Sequence, residues 1–252
     1  MEEQGIRINK FLSEAGVCSR READRQVAEG NVTVDGRRAE VGTRVLPGQS
    51  VCICGREVAK EEEMILLALY KPVGIVCTAE KREKNNVIDY IGYPKRIYPV
   101  GRLDKDSEGL LLLTNNGDIV NKLMRAGNMH EKEYLVTVDK PITESFLRGM
   151  AGGVPLRELG VTTRKCRVER VGKREFRIIL TQGLNRQIRR MCEYFGYRVV
   201  KLVRTRIMNI ELGNLEKGKY RAVTAEEYGR LQKLLLGSSN ETVIPRQEDK
   251  KK

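Results

Sequence analysis

The stretch "YPVGRLDKDSEGLLLLTNNGD", residues 98–118, crowds five charged side chains (Arg102, Asp104, Lys105, Asp106 and Glu108) directly ahead of an apolar run, Leu110 to Leu113. An apolar run of this length must be buried as a strand, so the loop before it is held at the strand's mouth. A carboxylate there, Asp104, has Arg102 and Lys105 beside it to favour its charged form. It can act as a nucleophile or a base if its oxygens face a cavity. The plainer reading of the same residues is solvated loop punctuation.

Charge narrows the chemistry. The 252 residues carry a formal net charge of +13. Residues 164–206 hold fourteen Lys and Arg against Glu169, Glu175 and Glu193, a net of 14 − 3 = +11. Eleven of the fourteen are arginine, whose planar fork suits bidentate phosphate contacts and stacking on bases. A polyanionic partner, a nucleic acid, fits this better than a merely solvated basic face. Chemistry on a nucleobase also needs an aromatic ring to stack on an extruded base and cations to position the acid. Tyr134 in "HEKEYLVTV" offers the ring, and the cluster Arg186–Arg190 offers the cations. Two plainer roles compete here: Tyr134 as a half-buried strand tyrosine, and Arg189 paired with Glu193 one helical turn on.

No apolar run approaches a membrane span, and "MEEQGIRINK" has two acids and no apolar core, so neither a membrane anchor nor a secretory signal is expected. The six cysteines are scattered without a CxxC pair, and His130 is the only histidine. This composition predicts reduced thiols in a cytoplasmic protein with no metal site. His130 is read as a structural or surface residue.

The elements that must position these groups fall into two units. In residues 6–60, Ile8, Phe11, Leu12 and Ala15 have helical spacing and Gly16 ends the helix. Ser19 and Glu22 offer a capping box for a second helix, closed by Gly30. "NVTVDG" is a short strand running into an Asp35-Gly36 turn, with further strand in "RVLPGQSVCICG". "AKEEEM", residues 59–64, is a polar linker. Residues 64–237 alternate strands with helices and predict an α+β domain. "MILLALYKPVGIVCT" is a strand broken at Pro72 and Gly74, "NNGD" a turn, and "EYLVTVDKPIT" a strand. "TESFLRGMAGG" is a helix, "KCRVERVGKREFRIILTQG" a hairpin, and "NRQIRRMCEYFG" and "TAEEYGRLQKLLLG" are helices. The polar residues 238–252 are expected to be disordered.

"RINKFLSEAGVCSRREADRQVAEGNVTVDGRR", with its G-x-x-S-R-R and G-x-V-x-V-D-G, resembles the S4 RNA-binding domain. A DNA-binding helix-turn-helix is the competing reading, against which stand the immediate strand and the acids Glu22, Asp24 and Glu29. The S4 resemblance implies that Arg7, Lys10, Arg20, Arg21 and Arg25 line an RNA backbone groove. "GRLDKDSEGLLLLTNNGD", "KEYLV", "TQGLNRQIRRMCEYFGY", "KLVRTRIMNI" and the K-P-x-G of "ALYKPVGIVCT" are similar, in register over nearly all of residues 6–237, to the RsuA/RluB/RluE/RluF group of pseudouridine synthases. "HEKEYLVTVDKPIT" and "RTRIMNI" look most like members acting on 23S ribosomal RNA.

The resemblance implies an α+β catalytic domain built on a mixed, mainly antiparallel sheet flanked by helices. It implies isomerisation of a uridine to pseudouridine on a flipped-out nucleotide, without cofactor or metal. Asp104 matches the catalytic aspartate, Tyr134 the stacking tyrosine, and Arg189 the arginine that pairs with the catalytic carboxylate. Arg102 matches the arginine at the RNA strand, and Leu202 an apolar residue packed at the site. Leu103, Lys105, Arg186, Gln187 and Ile188 fall in the two motifs that face RNA. The expected partner is a 23S stem-loop, with a transfer-RNA anticodon arm as a candidate additional substrate, and the chain is expected to be monomeric. A non-catalytic S4-type assembly factor, or a small-subunit RNA synthase of the same group, remains open at this point.

Overall fold

The computed structural model describes residues 5–59, 63–124 and 126–238. The tail from residue 239 on and the linker positions 60–62 lie outside the described residues. Helices Ile8–Glu14 and Arg20–Ala28 pack on short strands through Ile8, Leu12, Ala23, Val27, Val32, Val45 and Val51, a core separate from those of the following domain. Gly16, at φ +78°, ends the first helix in the left-handed conformation that glycine reaches without strain. Ser19 Oγ accepts the Glu22 N–H at 3.1 Å, but Glu22 spends its carboxylate on Arg25 and Gln26, so only half of the capping box forms. Asp35 and Gly36 both have positive φ, joining strands Val32–Val34 and Arg37–Arg38 in a tight hairpin.

The second domain is a nine-stranded sheet. Its order is Arg167–Gly172, Glu175–Leu180, Lys132–Val138, Val199–Ile207, Glu108–Thr114, Leu66–Lys71 and Tyr220–Ala222. Tyr98–Pro99 and Ile210–Glu211 pair at the side. Every pairing is antiparallel except Val199–Ile207 with Glu108–Thr114, so the sheet is mixed and mainly antiparallel as expected. The Leu110–Leu113 run is apolar at consecutive positions because both faces are covered. Leu110 and Leu112 meet helices Gly117–Met124 and Ala225–Leu235, while Leu111 and Leu113 meet Val87 and Ile91 of helix Val87–Ile91. On the other half of the sheet, helices Glu144–Gly152 and Gln187–Tyr194 cover Val136, Phe176 and Ile178.

Two elements depart from the sequence reading. "NNGD" is not a turn but the start of helix Gly117–Met124. Asn116 Oδ1 accepts the Asp118 N–H at 2.9 Å, so the Asn-Gly pair that signals a hairpin here caps a helix. Helix Val87–Ile91, capped by Asn86, has no counterpart in the reading. The two domains are latched directly. Arg96 reaches into the end of the first helix, donating from Nη1 to the Ser13 carbonyl at 3.1 Å and the Cys18 carbonyl at 2.5 Å. Lys10 Nζ sits 2.8 Å from both oxygens of Asp118.

Candidate active site

Asp104 opens a turn at the mouth of strand Glu108–Thr114, where the Ser107 N–H donates to its carbonyl at 3.0 Å. Neighbouring backbone is clamped from below. The Cys77 thiol donates to the Leu103 carbonyl, and the Leu103 N–H donates back to the sulfur, both at 3.3 Å. Burial pushes the Cys77 thiol up, which keeps it a donor. The Gly74 N–H donates to the Lys105 carbonyl at 2.8 Å. Leu103 itself is buried against Leu111 and Leu113, so its side chain anchors the loop to the core while Arg102 and Lys105 remain exposed.

Beneath the loop lie two fully buried cations. Lys71 is 0% exposed, its ammonium donating to the Pro72 and Ile75 carbonyls at 2.8 and 2.9 Å. Burial pushes its proton affinity below the ordinary lysine value and Arg204 adds to that, while Cys77, Asp104 and Asp106 pull it back. Arg204 is 2% exposed; Nε donates to the Leu110 carbonyl at 2.7 Å and Nη1 to the Arg102 carbonyl at 3.4 Å. Its approach is set by the parallel strand pair, in which Arg204 faces Gly109. A Cβ on Gly109 would lie 2.4 Å from the Arg204 carbonyl oxygen, and φ there is +113°, so only glycine lets these strands close.

Arg189 departs from the expectation carried by the resemblance. It turns inward, 8% exposed, and not toward Glu193. Its guanidinium donates to the Asp106 carbonyl at 2.9 Å and to Ser107 Oγ at 3.1 Å, and its Nε lies 3.4 Å from the Asp106 carboxylate. Its carboxylate partner is therefore Asp106. Asp104 has no ion-pair partner within 4.0 Å among the described residues. Arg186, at the left-handed position that opens the helix, holds Asp106 as well, with contacts of 3.1 and 3.0 Å. Burial alone would raise the Asp106 carboxyl. The hydrogen bond from Arg186 and the charge of Arg189 instead hold it below the usual range. The two arginines thus pull on the loop that carries Asp104.

All ten predicted residues of the second domain line one cleft of about 680 Å³: Asp104, Tyr134, Arg189, Arg102, Leu103, Lys105, Arg186, Gln187, Ile188 and Leu202. Tyr134, half-buried, packs against the cores of both halves of the sheet and stands across the cleft. Gln187, expected to face RNA, is buried. Its amide is spent on the Leu184 N–H at 3.1 Å and on Met191 Sδ, and Ile188 is a core residue. The first-domain residues do not join the cleft. Arg7, Arg20 and Arg21 are exposed. Lys10 is bound to Asp118, and Arg25 to Glu22 and Glu29, so the structure gives these two intramolecular partners where RNA contacts were expected. Part of the basic segment is likewise neutralised, with Arg167, Arg170 and Arg206 paired to Glu169, Glu144 and Glu131.

Sequence reasoning missed Cys77, Lys71, Asp106, Arg204 and Lys132. The last two carried a signal. They lie two residues from Leu202 and Tyr134, on the same inward-facing phase of their strands, where a long cation is out of place unless something needs it. His130 is buried, with Nε2 2.9 Å from Ser238 Oγ, in keeping with a structural role. No helix among the described residues is long and apolar enough to cross a membrane.

Comparison with known proteins agrees with this architecture. The family model for RNA pseudouridylate synthase matches residues 65–194, and that for the S4 domain matches residues 6–51. The dual-specificity RNA pseudouridine synthase RluF of Salmonella typhi is 56% identical over 241 residues, 95% of this chain and 83% of that protein. The ribosomal large subunit pseudouridine synthase B of Bacillus subtilis is 35% identical over 235 residues, 90% of this chain and 96% of that protein. A crystal structure of a pseudouridylate synthase superposes with a TM-score of 0.65 at 27% identity, covering 91% of this chain and 99% of that one. With its S4 unit latched onto a sheet whose central cleft gathers the sequence-matched residues, the chain belongs to the RNA pseudouridylate synthase family and is an RNA-acting isomerase.

Proposed function

We propose that the chain isomerises a uridine in a 23S ribosomal RNA stem-loop, with Asp104 as the reacting carboxylate, and accepts a transfer-RNA anticodon arm as a second substrate. The observation that carries this is an asymmetry between two neighbouring acids. Asp106 is claimed by Arg186 and Arg189, whereas Asp104, two residues before it, lines the cleft with no ion-pair partner among the described residues. A carboxylate left free in a clamped loop is available to substrate.

In this reading the target nucleotide leaves the RNA stack and its uracil packs on Tyr134, with Leu202 and Ile188 closing the cleft on the apolar side. Either an Asp104 oxygen bonds to C1′ as the N1–C1′ bond breaks, or Asp104 takes the C2′ proton as N1 leaves. The detached ring then turns so that C5 faces C1′. Arg186 and Arg189 act through Asp106, holding the loop so that Asp104 stays aimed. Arg102 and Lys105, exposed at the rim, meet the RNA strand, and Arg7, Arg20 and Arg21 offer the S4 unit's backbone contacts. The protein works as a monomer in the cytoplasm.

Carbodiimide-dependent reverse-transcription stops on 23S hairpins, treated with wild type or Asp104→Asn, test the assignment. A stop at one uridine made by wild type and missing with the variant supports it. RNA binding without a stop from wild type overturns it and leaves an S4-type binder.

A further inference from the structure

Lys132 is a further cation of the cleft that no part of the scheme above employs. It is 7% exposed and lies on the same face of its strand as Tyr134, two residues away. It lines the cleft together with Asp104 and Arg204, and its ammonium has no hydrogen-bond or ion-pair partner among the described residues. In the same wall, Arg204 Nη2 and Gln182 Nε2 are buried donors without an acceptor. Arg189 Nε, in the same lining, is a third. A native interior leaves few such donors, and three of them around one cavity, beside the unpaired Lys132 ammonium, mark a place where an acceptor arrives with the ligand. Lys71 is not of this kind, because its ammonium is satisfied by two carbonyls. Arg189 spends its terminal Nη2 on Asp106 and Ser107.

We propose that Lys132 is a catalytic residue that stabilises the negative charge of the detached uracil ring, with the Arg204 guanidinium raising the positive potential beside it. This rests on the reading of the cleft as the site of uridine isomerisation. When N1–C1′ breaks, the bonding electron pair leaves with the ring, and its charge spreads over N1, O2 and O4. The ribose is meanwhile held as the Asp104–C1′ adduct, or as the C1′=C2′ alkene with its C2′ proton on Asp104. C5 then attacks C1′. The C1′–O pair returns to Asp104 in the first route, and the proton returns to C2′ in the second. C5 loses its hydrogen and N1 gains one, so the net change is isomerisation. Between the two steps the ring is an anion in either route. A donor fixed in a nearly dry wall is worth most at that moment and little in the ground state, where the uracil is neutral. Burial, with Arg204 adding, lowers the Lys132 ammonium to about 8. It is therefore charged at neutral pH and loses its proton just above it.

Single-turnover pseudouridine formation on a stem-loop substrate, measured between pH 6.5 and 9.5, separates the possibilities. Lys132→Met is expected to slow the chemical step by about 10²-fold, with RNA affinity within threefold of wild type and an unfolding temperature no lower. Lys132→Arg is expected to keep most of the rate and lose the alkaline decline that wild type shows near pH 8. A Lys132→Met rate within threefold of wild type overturns the proposal. So does a loss matched by weaker RNA binding or by a lowered unfolding temperature. Absence of product with wild-type enzyme would instead refute the reading of the cleft itself, and that outcome is visible before any variant is compared.

Discussion

Replacing Lys132 with methionine keeps an unbranched side chain of similar volume and removes one charge, so it isolates what that charge costs the fold. The ammonium falls from the ordinary 10.5 to about 8 in the folded protein, with burial the largest cause. At ~1.4 kcal/mol for each tenfold change in proton affinity, that corresponds to about 3 kcal/mol of destabilisation carried by the charged form. The direction with pH follows. Between pH 8 and 10.5 the unfolded chain binds more protons than the folded one, so wild-type stability rises with pH across that window. Below pH 8 the penalty is present in full. Urea unfolding followed by circular dichroism is expected to show Lys132→Met more stable than wild type by 2–3 kcal/mol at pH 7, with the difference shrinking toward zero by pH 10. A variant less stable than wild type at pH 7 refutes the reasoning, because Lys132 would then be holding the fold together. A difference independent of pH refutes it as well. Stabilisation accompanied by slower chemistry is the signature of a residue kept for function at the fold's expense.

Other perturbations probe the frame around the site. Gly109→Ala sets a Cβ 2.4 Å from the Arg204 carbonyl oxygen at a φ of +113° and is expected to cost at least ~3 kcal/mol in urea unfolding; a loss under 1 kcal/mol would show that the strand pair yields easily. Cys77→Val removes both hydrogen bonds to Leu103 while conserving bulk, and is expected to slow single-turnover chemistry about tenfold with RNA affinity unchanged, a loss of ~1.4 kcal/mol; an unchanged rate would mean that the clamp does not aim Asp104. Arg96→Ala strips donors from the Ser13 and Cys18 carbonyls, and at ~2 kcal/mol is expected to weaken stem-loop binding about thirtyfold while kcat stays within threefold; equal losses in both would place the latch in the chemistry.

Strand Glu108–Thr114 and the Asp35-Gly36 hairpin were legible in the sequence because local pattern decides them: four consecutive leucines, and a dipeptide suited to positive φ. The same logic misread Asn116-Gly117, since the choice between hairpin and helix cap depends on whether Ile119 and Leu123 find a core to meet, which is tertiary information. In the site, the motifs marked Asp104, Tyr134 and Arg189, and the structure places all three on one cleft. They did not reveal that Arg189 engages Asp106 and not Asp104, because two acids two residues apart in one loop look equivalent until the backbone bends. Cys77 reads only as one reduced thiol among six for the same reason: its partner is a backbone twenty-six residues away. Gln187 falls in a motif that the resemblance turns toward RNA, whereas here its amide closes the loop before the helix.

On the proposed assignment Asp104, and no other carboxylate of the loop, reacts with the nucleotide. The direct measurement is release of tritium from C5 of uridine in a stem-loop RNA, since C5 loses its hydrogen only when it replaces N1 at C1′. Wild type is expected to release the label to water, and Asp106→Asn to release it more slowly through a loosened loop. Asp104→Asn is expected to bind the RNA within threefold of wild type and release none. Release by Asp104→Asn at a rate near that of wild type would contradict the account.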